Sequence, residues 1–400
     1  MKRELEVLLR RGAARTGVIG LAGGLPSVAQ FPRRALALSF LRVMRQAGTP
    51  ALQYGWAEGS GRLRGYLAQR LNARGVEVRP DDVIVTSGAQ QGIAMALELA
   101  TRPTDVVGFD LETYPAALEL ARCRGLVPAG RLRDVSCAYV MPAVSNPRGR
   151  ALSDLKRTSL LGERVAIIED DAYAELRFAD GPAPRPLLAD ATDRVFHVGT
   201  FSKILCPGLR VGWLVVPRHL RRRALELKQG IDLQSSTLAQ AIVEDYLLGD
   251  GHRPGVDLDD RLLRLRRFYA GRAARLATAL RKHLPGWSFD FPEGGFAIWV
   301  ETDTSQPEEP FLKAALDEGV TFDPGSQFRP DAGGAEPLAL RLCFSSARAD
   351  SLELAIQRLA RAWTVCQPTV VACPGLSTAG PPSRPRRARR DQAVTTRLRT

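Results

Sequence analysis

Six short runs of almost unbroken apolar residues dominate the stretch from Ala51 to Pro217. They are VIVTS (Val83–Ser87), VVGFD (Val106–Asp110), CAYVMP (Cys137–Pro142), VAIIEDD (Val165–Asp171), VFHVGT (Val195–Thr200) and VGWLVVP (Val211–Pro217). A strand with one solvated face alternates polar and apolar residues, whereas a strand that is apolar throughout is covered on both faces. Helical spacing separates the runs, as in QQGIAMALELA (Gln90–Ala100). The pattern predicts an α/β fold with a mostly parallel sheet between layers of helix. Ligands of such sheets gather at the carboxyl ends of the strands. Ser87, Asp110, Asn146 just beyond Met141, Asp170 and Thr200 all fall there.

After Pro217 the pattern changes. Leu258–Leu284 reads as one long amphipathic helix, and WSFDFPEGGFAIWVET, GVTFDPGSQF and LALRLCFSS supply shorter strands. A second, smaller α+β domain is expected there, ending near Trp363. The expected organisation is an N-terminal segment over 1–45 counted with the small domain, a large domain over 46–257, the C-terminal small domain over 258–365, and a tail over 366–400.

Charge enters the argument through that tail. Of the net +13, the segment Pro374–Thr400 contributes +6, from seven arginines and one aspartate. It is rich in Pro, Gly and Arg with little to bury, so disorder is expected rather than a specific nucleic-acid site. No stretch approaches the roughly 18 apolar residues of a membrane span. The N-terminal MKRELEVLLRRGAARTG lacks the apolar core of a signal peptide, which makes the cytoplasm the expected location. Six scattered cysteines without a CxxC pair, and only four histidines, argue against a zinc site or a disulfide framework.

The chemistry concentrates in FHVGTFSKILCPGLRVGW. Lys203 follows a strand and two hydroxyl residues, Thr200 and Ser202, with Arg210 seven positions on. A free lysine amine, with a pKa of about 10.4, is protonated at neutral pH and is a poor nucleophile. Desolvation or a neighbouring cation lowers that value and makes reaction with an aldehyde cofactor feasible. Hydroxyls and a guanidinium suit a phosphate dianion. So does the turn of Gly88, Ala89 and Gln90, which opens a helix with free backbone amides.

These residues, in this order, resemble those of fold-type I pyridoxal-phosphate-dependent aminotransferases of class I/II. The branch is that of 2-aminoadipate and kynurenine aminotransferases and of MocR effector domains. The resemblance runs from about Leu21 to Trp363. LAGGLPS is similar to the family's substrate-side loop, with Gly24 near the substrate carboxylate. QYGWAEGSGRLRGYLAQRL resembles YGxxxGxxxLR, with Tyr54 reaching the cofactor phosphate of a partner subunit. ETYPAAL resembles DPTYPG, SNPRG resembles NPTG, and IIEDDAYAEL resembles the DxxY element.

The resemblance implies that Tyr114 stacks on the pyridine ring and that Asn146 and Tyr173 contact its phenolic oxygen. Asp170 would pair with the ring nitrogen, and Lys203 would hold the cofactor covalently and shuttle the α-proton. LALRLCFS resembles the C-terminal arginine motif, where Arg341 would bind the substrate α-carboxylate. A lone arginine in that apolar run has no ready structural explanation, since an unpaired buried guanidinium is destabilising, and a carboxylate ligand would resolve it.

The implied function is transfer of an amino group between an L-amino acid and a 2-oxo acid by a homodimer, with no metal. A lyase or cyclase using the same residues is the first alternative, and a non-catalytic MocR-type sensing domain the second. Only about 20 residues precede LAGGLP, too few for a DNA-reading module.

Three departures stand out. NPTG has become NPRG with Arg148, and the position two after Arg341 is Cys343. The segment Gly125–Val135 is about 20 residues shorter than the family's proportions. A crossover between parallel strands normally needs a dozen residues or more, so either an edge strand is missing or the region is rebuilt.

Overall fold

The computed structural model describes residues 17–46, 48–179, 183–249, 253–304, 307–330 and 337–366. The expectations for residues 1–16 and for the tail from 367 onward lie outside the described residues.

Strand β1 (Ile19–Leu21) precedes the large sheet. That sheet consists of β2 (Val83–Thr86), β3 (Val106–Gly108), β4 (Val127–Ala129), β5 (Cys137–Val140), β6 (Ala166–Asp170), β7 (Val195–Thr200) and β8 (Gly212–Val215). Its order is β2-β8-β7-β6-β5-β3-β4. β3 to β7 pair in parallel, and β8 runs antiparallel to both β7 and β2. Every residue of β2, β5, β7 and β8 is buried, which explains why their sequences do not alternate.

The helix Ala89–Ala100 lies against this sheet through Gly92, Ile93, Met95, Ala96, Leu97 and Leu99. Burial of side chains the size of Ile93 and Met95 contributes about 1.5–3 kcal/mol each. A Cβ on Gly92 would come 3.0 Å from Val198 of β7, so glycine sets how closely helix and sheet approach. The helix stops at Thr101, whose extended backbone breaks the ladder two residues before Pro103.

The shortened region is rebuilt, and its edge strand is present. β4 pairs with β3, and seven residues, 130–136, then carry the chain across β3 to β5 on its other side. No helix intervenes. The crossing segment runs so close to β3 that a Cβ on Gly108 would lie 2.3 Å from the Arg131 carbonyl oxygen. Asp134 takes φ +53, and the Ser136 N–H donates to the Val106 carbonyl at 2.9 Å to start β5. The dozen-residue expectation fails here because a glycine lets the backbone itself take the place of a covering helix.

The second sheet holds β1, β9 (Ser288–Phe289), β10 (Ala297–Glu301), β11 (Val320–Pro324) and β12 (Ala339–Cys343), in the order β1-β11-β12-β10-β9. The helix Leu258–His283 packs beside it through Leu262, Leu265, Tyr269, Ala273, Leu276 and Leu280. Asp257 caps its N-terminus by accepting from the Asp259 and Asp260 N–H groups, and Arg281, Lys282 and His283 complement the dipole at its other end. The Tyr269 hydroxyl accepts from the Ser27 N–H at 3.2 Å and anchors the loop that follows β1. The helix Arg33–Gln46 packs on Thr237–Leu248, where Arg42 pairs with Asp245. Among the described residues no helix is long and apolar enough to cross a membrane.

Candidate active site

Lys203 sits in the turn after β7, with its ammonium held 3.1 Å from the Gly24 carbonyl oxygen. The Tyr173 and Phe296 rings lie 5.3 and 5.6 Å away. Burial depresses its pKa, Tyr114 opposes that shift, and Arg341 adds to it. Sequence alone predicted a lowered lysine; the geometry supplies the cause.

Asp170 ends β6, buried, with Oδ2 accepting from the Tyr139 hydroxyl at 2.6 Å and Oδ1 from the Ala172 N–H at 3.2 Å. Burial pushes its pKa up to about 6, against the pull of those two hydrogen bonds. A carboxyl in that state favours a cationic partner. Strand alternation accounts for the rest of the EDD run. Glu169 and Asp171 flank Asp170 and make other bonds: Glu169 accepts from the Leu187 and Leu188 N–H groups at 2.7 and 3.1 Å and lies 3.2 Å from His197 Nδ1. Asp171 pairs with Arg74.

Gly88, at φ +86, precedes the helix that begins with Ala89 and Gln90. A Cβ on Gly88 would meet the Arg210 guanidinium at 2.7–2.9 Å. Arg210 itself takes φ +55 and donates to the Ser87 carbonyl at 3.0 Å. Thr200 Oγ1 donates to Ser202 Oγ at 3.0 Å and accepts from the Ser202 N–H at 3.1 Å. Tyr114 precedes the helix Pro115–Cys123 with its hydroxyl 3.4 Å from Gln90 Oε1. Burial raises its pKa, partly offset by Lys203.

At the other end, Asn146 Oδ1 accepts from Arg341 Nη1 at 2.8 Å. Tyr173 is buried edge-on to Phe296, with ring centroids 5.3 Å apart. A Cβ on Gly24 would stand 3.3 Å from both terminal nitrogens of Arg341. The lone-guanidinium argument needs correcting, because the protein supplies its own carboxylate. Asp323 Oδ2 accepts from Arg341 Nε at 2.9 Å and Nη2 at 2.7 Å. Burial alone would pull the Arg341 pKa down, but Asp323 holds it above its ordinary value.

Tyr54 is not drawn in with the others; it stands 78% exposed beside Gln53. The departures also find places. Arg148 forks onto Glu112 at 2.8 and 3.0 Å and reaches Glu301 at 2.9 Å. Burial holds the Cys343 thiol up at about 12, so it stays protonated; it accepts from the Gly24 N–H at 3.2 Å.

Two residues that sequence reasoning missed are Tyr139 and Asp323. Each is a polar group inside an apolar strand, CAYVMP and VTFDP, and a buried polar group needs a partner.

The chemistry of this donor set fits one group. A buried acid suits a ring nitrogen, a lysine of lowered pKa suits an aldehyde, and a helix N-terminus with an arginine and two hydroxyls suits a phosphate. On this fold, they define a pyridoxal-phosphate enzyme of fold type I. The aminotransferase class I and II family model matches residues 137–359. The 2-aminoadipate transaminase of Thermus thermophilus is 32% identical over 87% of this chain and 90% of its own. The aromatic-amino-acid aminotransferase 1 of Thermococcus litoralis is 30% identical over 86% of this chain and 87% of its own. The kynurenine aminotransferase of Pyrococcus horikoshii, solved with PMP and KYN as substrates and KYA as products, superposes at TM-score 0.81, with 29% identity, 90% of this chain and 94% of that one. The chain belongs to the aminotransferase class I and II family and is a pyridoxal-phosphate-dependent aminotransferase, moving an amino group between an amino acid and a 2-oxo acid.

Proposed function

We propose that Lys203 is the residue that holds the cofactor and moves the α-proton, with Asp170 against the ring nitrogen and Arg341 on the substrate carboxylate. The observation that carries this reading is the buried Lys203 amine beside the Gly24 carbonyl, with Tyr173 next to it and Arg341 close enough to depress its pKa.

Bound in this site, pyridoxal phosphate supplies an aldehyde for amino groups and an electron-poor ring that accepts the charge left when an α-proton departs. The chain does the rest. Backbone amides of Ala89 and Gln90, the Thr200 and Ser202 hydroxyls and Arg210 would hold the phosphate, with Tyr114 against the ring face. Asn146 and Tyr173 would hold its phenolic side, and Asp170 would keep the ring nitrogen protonated. Burial depresses the Lys203 pKa and so favours the unprotonated amine, whose Nζ could take the substrate α-proton and later return it.

The substrates named for the relatives, 2-aminoadipate, aromatic amino acids and kynurenine, set the panel for this chain.

A homodimer accompanies this reading. Leu52, Tyr54, Trp56, Ile231 and Leu233 are exposed large apolar side chains. They lie on segments tied together where Thr237 Oγ1 donates to the Ala51 carbonyl at 2.9 Å. A second copy would cover this face and bring its Tyr54 to the phosphate.

The test is borohydride reduction of cofactor-loaded protein and of Lys203→Ala, followed by amino-acid titration. Cofactor fixed covalently only where Lys203 is present, with a spectrum that amino acids then change, supports the reading. Identical spectra from both proteins would sink it.

A further inference from the structure

Arg341 faces an internal carboxylate in strict register. On the antiparallel pair β11–β12, Asp323 stands opposite Arg341, and both are buried. Oδ2 takes the Nε and Nη2 protons at 2.9 and 2.7 Å, while Asn146 takes one from Nη1 at 2.8 Å. A guanidinium has five N–H bonds in one rigid plane. Two therefore remain, one on each terminal nitrogen, and it is these nitrogens that meet Gly24.

The same carboxylate also fixes the loop on the far side of that gap. The Gly23 N–H donates to Asp323 Oδ1 at 3.0 Å and Oδ2 at 2.9 Å. One side chain thus sets both the rotation of the arginine and the position of the glycine pair facing it.

We infer that Asp323 is a positioning residue of the carboxylate subsite, which presents the two free N–H groups of Arg341 to the substrate carboxylate. This rests on the reading of Arg341 as the carboxylate anchor. A bare counter-ion would act in the opposite direction. An acid that merely neutralised Arg341 would weaken its attraction for a second carboxylate, and removing it would tighten binding. An acid that orients the fork does the reverse, because forked recognition depends on geometry as well as charge.

The experiment is calorimetric titration of the cofactor-loaded enzyme with 3-phenylpropanoate, a carboxylate without an amino group, alongside kcat and KM for an amino-acid substrate. Asp323→Ala is expected to raise Kd and KM about tenfold, equivalent to about 1.4 kcal/mol, with kcat changed less. Asp323→Asn keeps an acceptor oxygen of the same reach and is expected to restore binding to the parent level or better. Should the alanine protein not fold, Asp323→Leu fills the volume and takes its place under the same criteria. Binding by the alanine or leucine variant as tight as the parent or tighter overturns the inference, and so does an asparagine variant as weak as alanine. Arg341→Gln separates the two readings. If it leaves the Kd unchanged, the anchor reading fails and takes the inference with it; if it weakens binding while Asp323→Ala does not, the inference fails alone.

Discussion

The Tyr139 hydroxyl reaches across two neighbouring parallel strands to Asp170, 2.6 Å from the carboxylate proposed to meet the cofactor's ring nitrogen. Tyr139 is wholly buried, and burial first, then Asp170, raises its pKa well above the ordinary phenol value, so it always donates. The bond consumes one lone pair of Oδ2, turns the carboxylate within its plane, and lowers a pKa that burial has raised to about 6. Tyr139→Phe should leave Asp170 harder to ionise at neutral pH. A hydrogen bond to a charged group contributes about 1.5–3 kcal/mol. The expected result is at least tenfold weaker binding of pyridoxal phosphate, read by fluorescence titration at pH 7.5. Unchanged affinity would show that Asp170 holds its geometry without the phenol.

The same carboxylate makes the cofactor-free chain sensitive to pH. Its folded pKa of about 6 lies above the ordinary 3.8, so the fold favours the protonated form. Its contribution to stability is therefore complete below pH 3.8 and is lost as pH rises through about 6. The rise corresponds to roughly 3 kcal/mol. Denaturant melts of parent and Asp170→Asn without cofactor, at pH 5 and pH 7.5, should diverge with increasing pH, the parent losing more. Parallel pH profiles for the two proteins would refute this assignment.

The large sheet was legible because double-sided burial leaves short, nearly unbroken apolar runs set between helical patterns, and six of its seven strands stand in the sequence as such runs. β4 was missed. VPA is three residues long, lies at the sheet edge, is only partly buried and carries a proline, so it has no apolar run to show. The lysine, the aspartate and the glycine turn were legible because their chemistry follows strand ends. Asp323 was not, because nothing in one strand reveals which residue lies opposite on another. Tyr54 marks a different limit, since the role expected of it belongs to a second copy of the chain.

The rebuilt crossing should be intolerant of any side chain at Gly108. A methyl group there would sit 2.3 Å from the Arg131 carbonyl oxygen and 3.2 Å from both Val135 methyls. That oxygen belongs to the backbone and cannot swing aside, so either β3 or the crossing segment must move. Overpacking of this kind costs about 1–3 kcal/mol. Gly108→Ala is expected to lose at least that much in urea unfolding. Gly162→Ala, where a Cβ meets nothing within 4 Å, should be within about 0.5 kcal/mol of the parent or more stable.

Gly24 offers a sharper test, because strain and occupancy act there together. Its φ of +58 is left-handed, and a side chain in that region costs about 1–2 kcal/mol. That part appears in the melt alone. The Cβ of Gly24→Ala would also stand 3.3 Å from Nη1 and Nη2 of Arg341, where the substrate carboxylate is read as docking. The Gly24 carbonyl, which accepts from Lys203, stays in place, so covalent cofactor loading should survive. Expected, then, are a lower midpoint, normal borohydride-fixed cofactor, and a KM for the amino acid raised about tenfold or more, as for loss of about 1.4 kcal/mol. A KM unchanged beside a lowered midpoint would place the carboxylate elsewhere, because the added methyl would then cause strain without blocking the substrate.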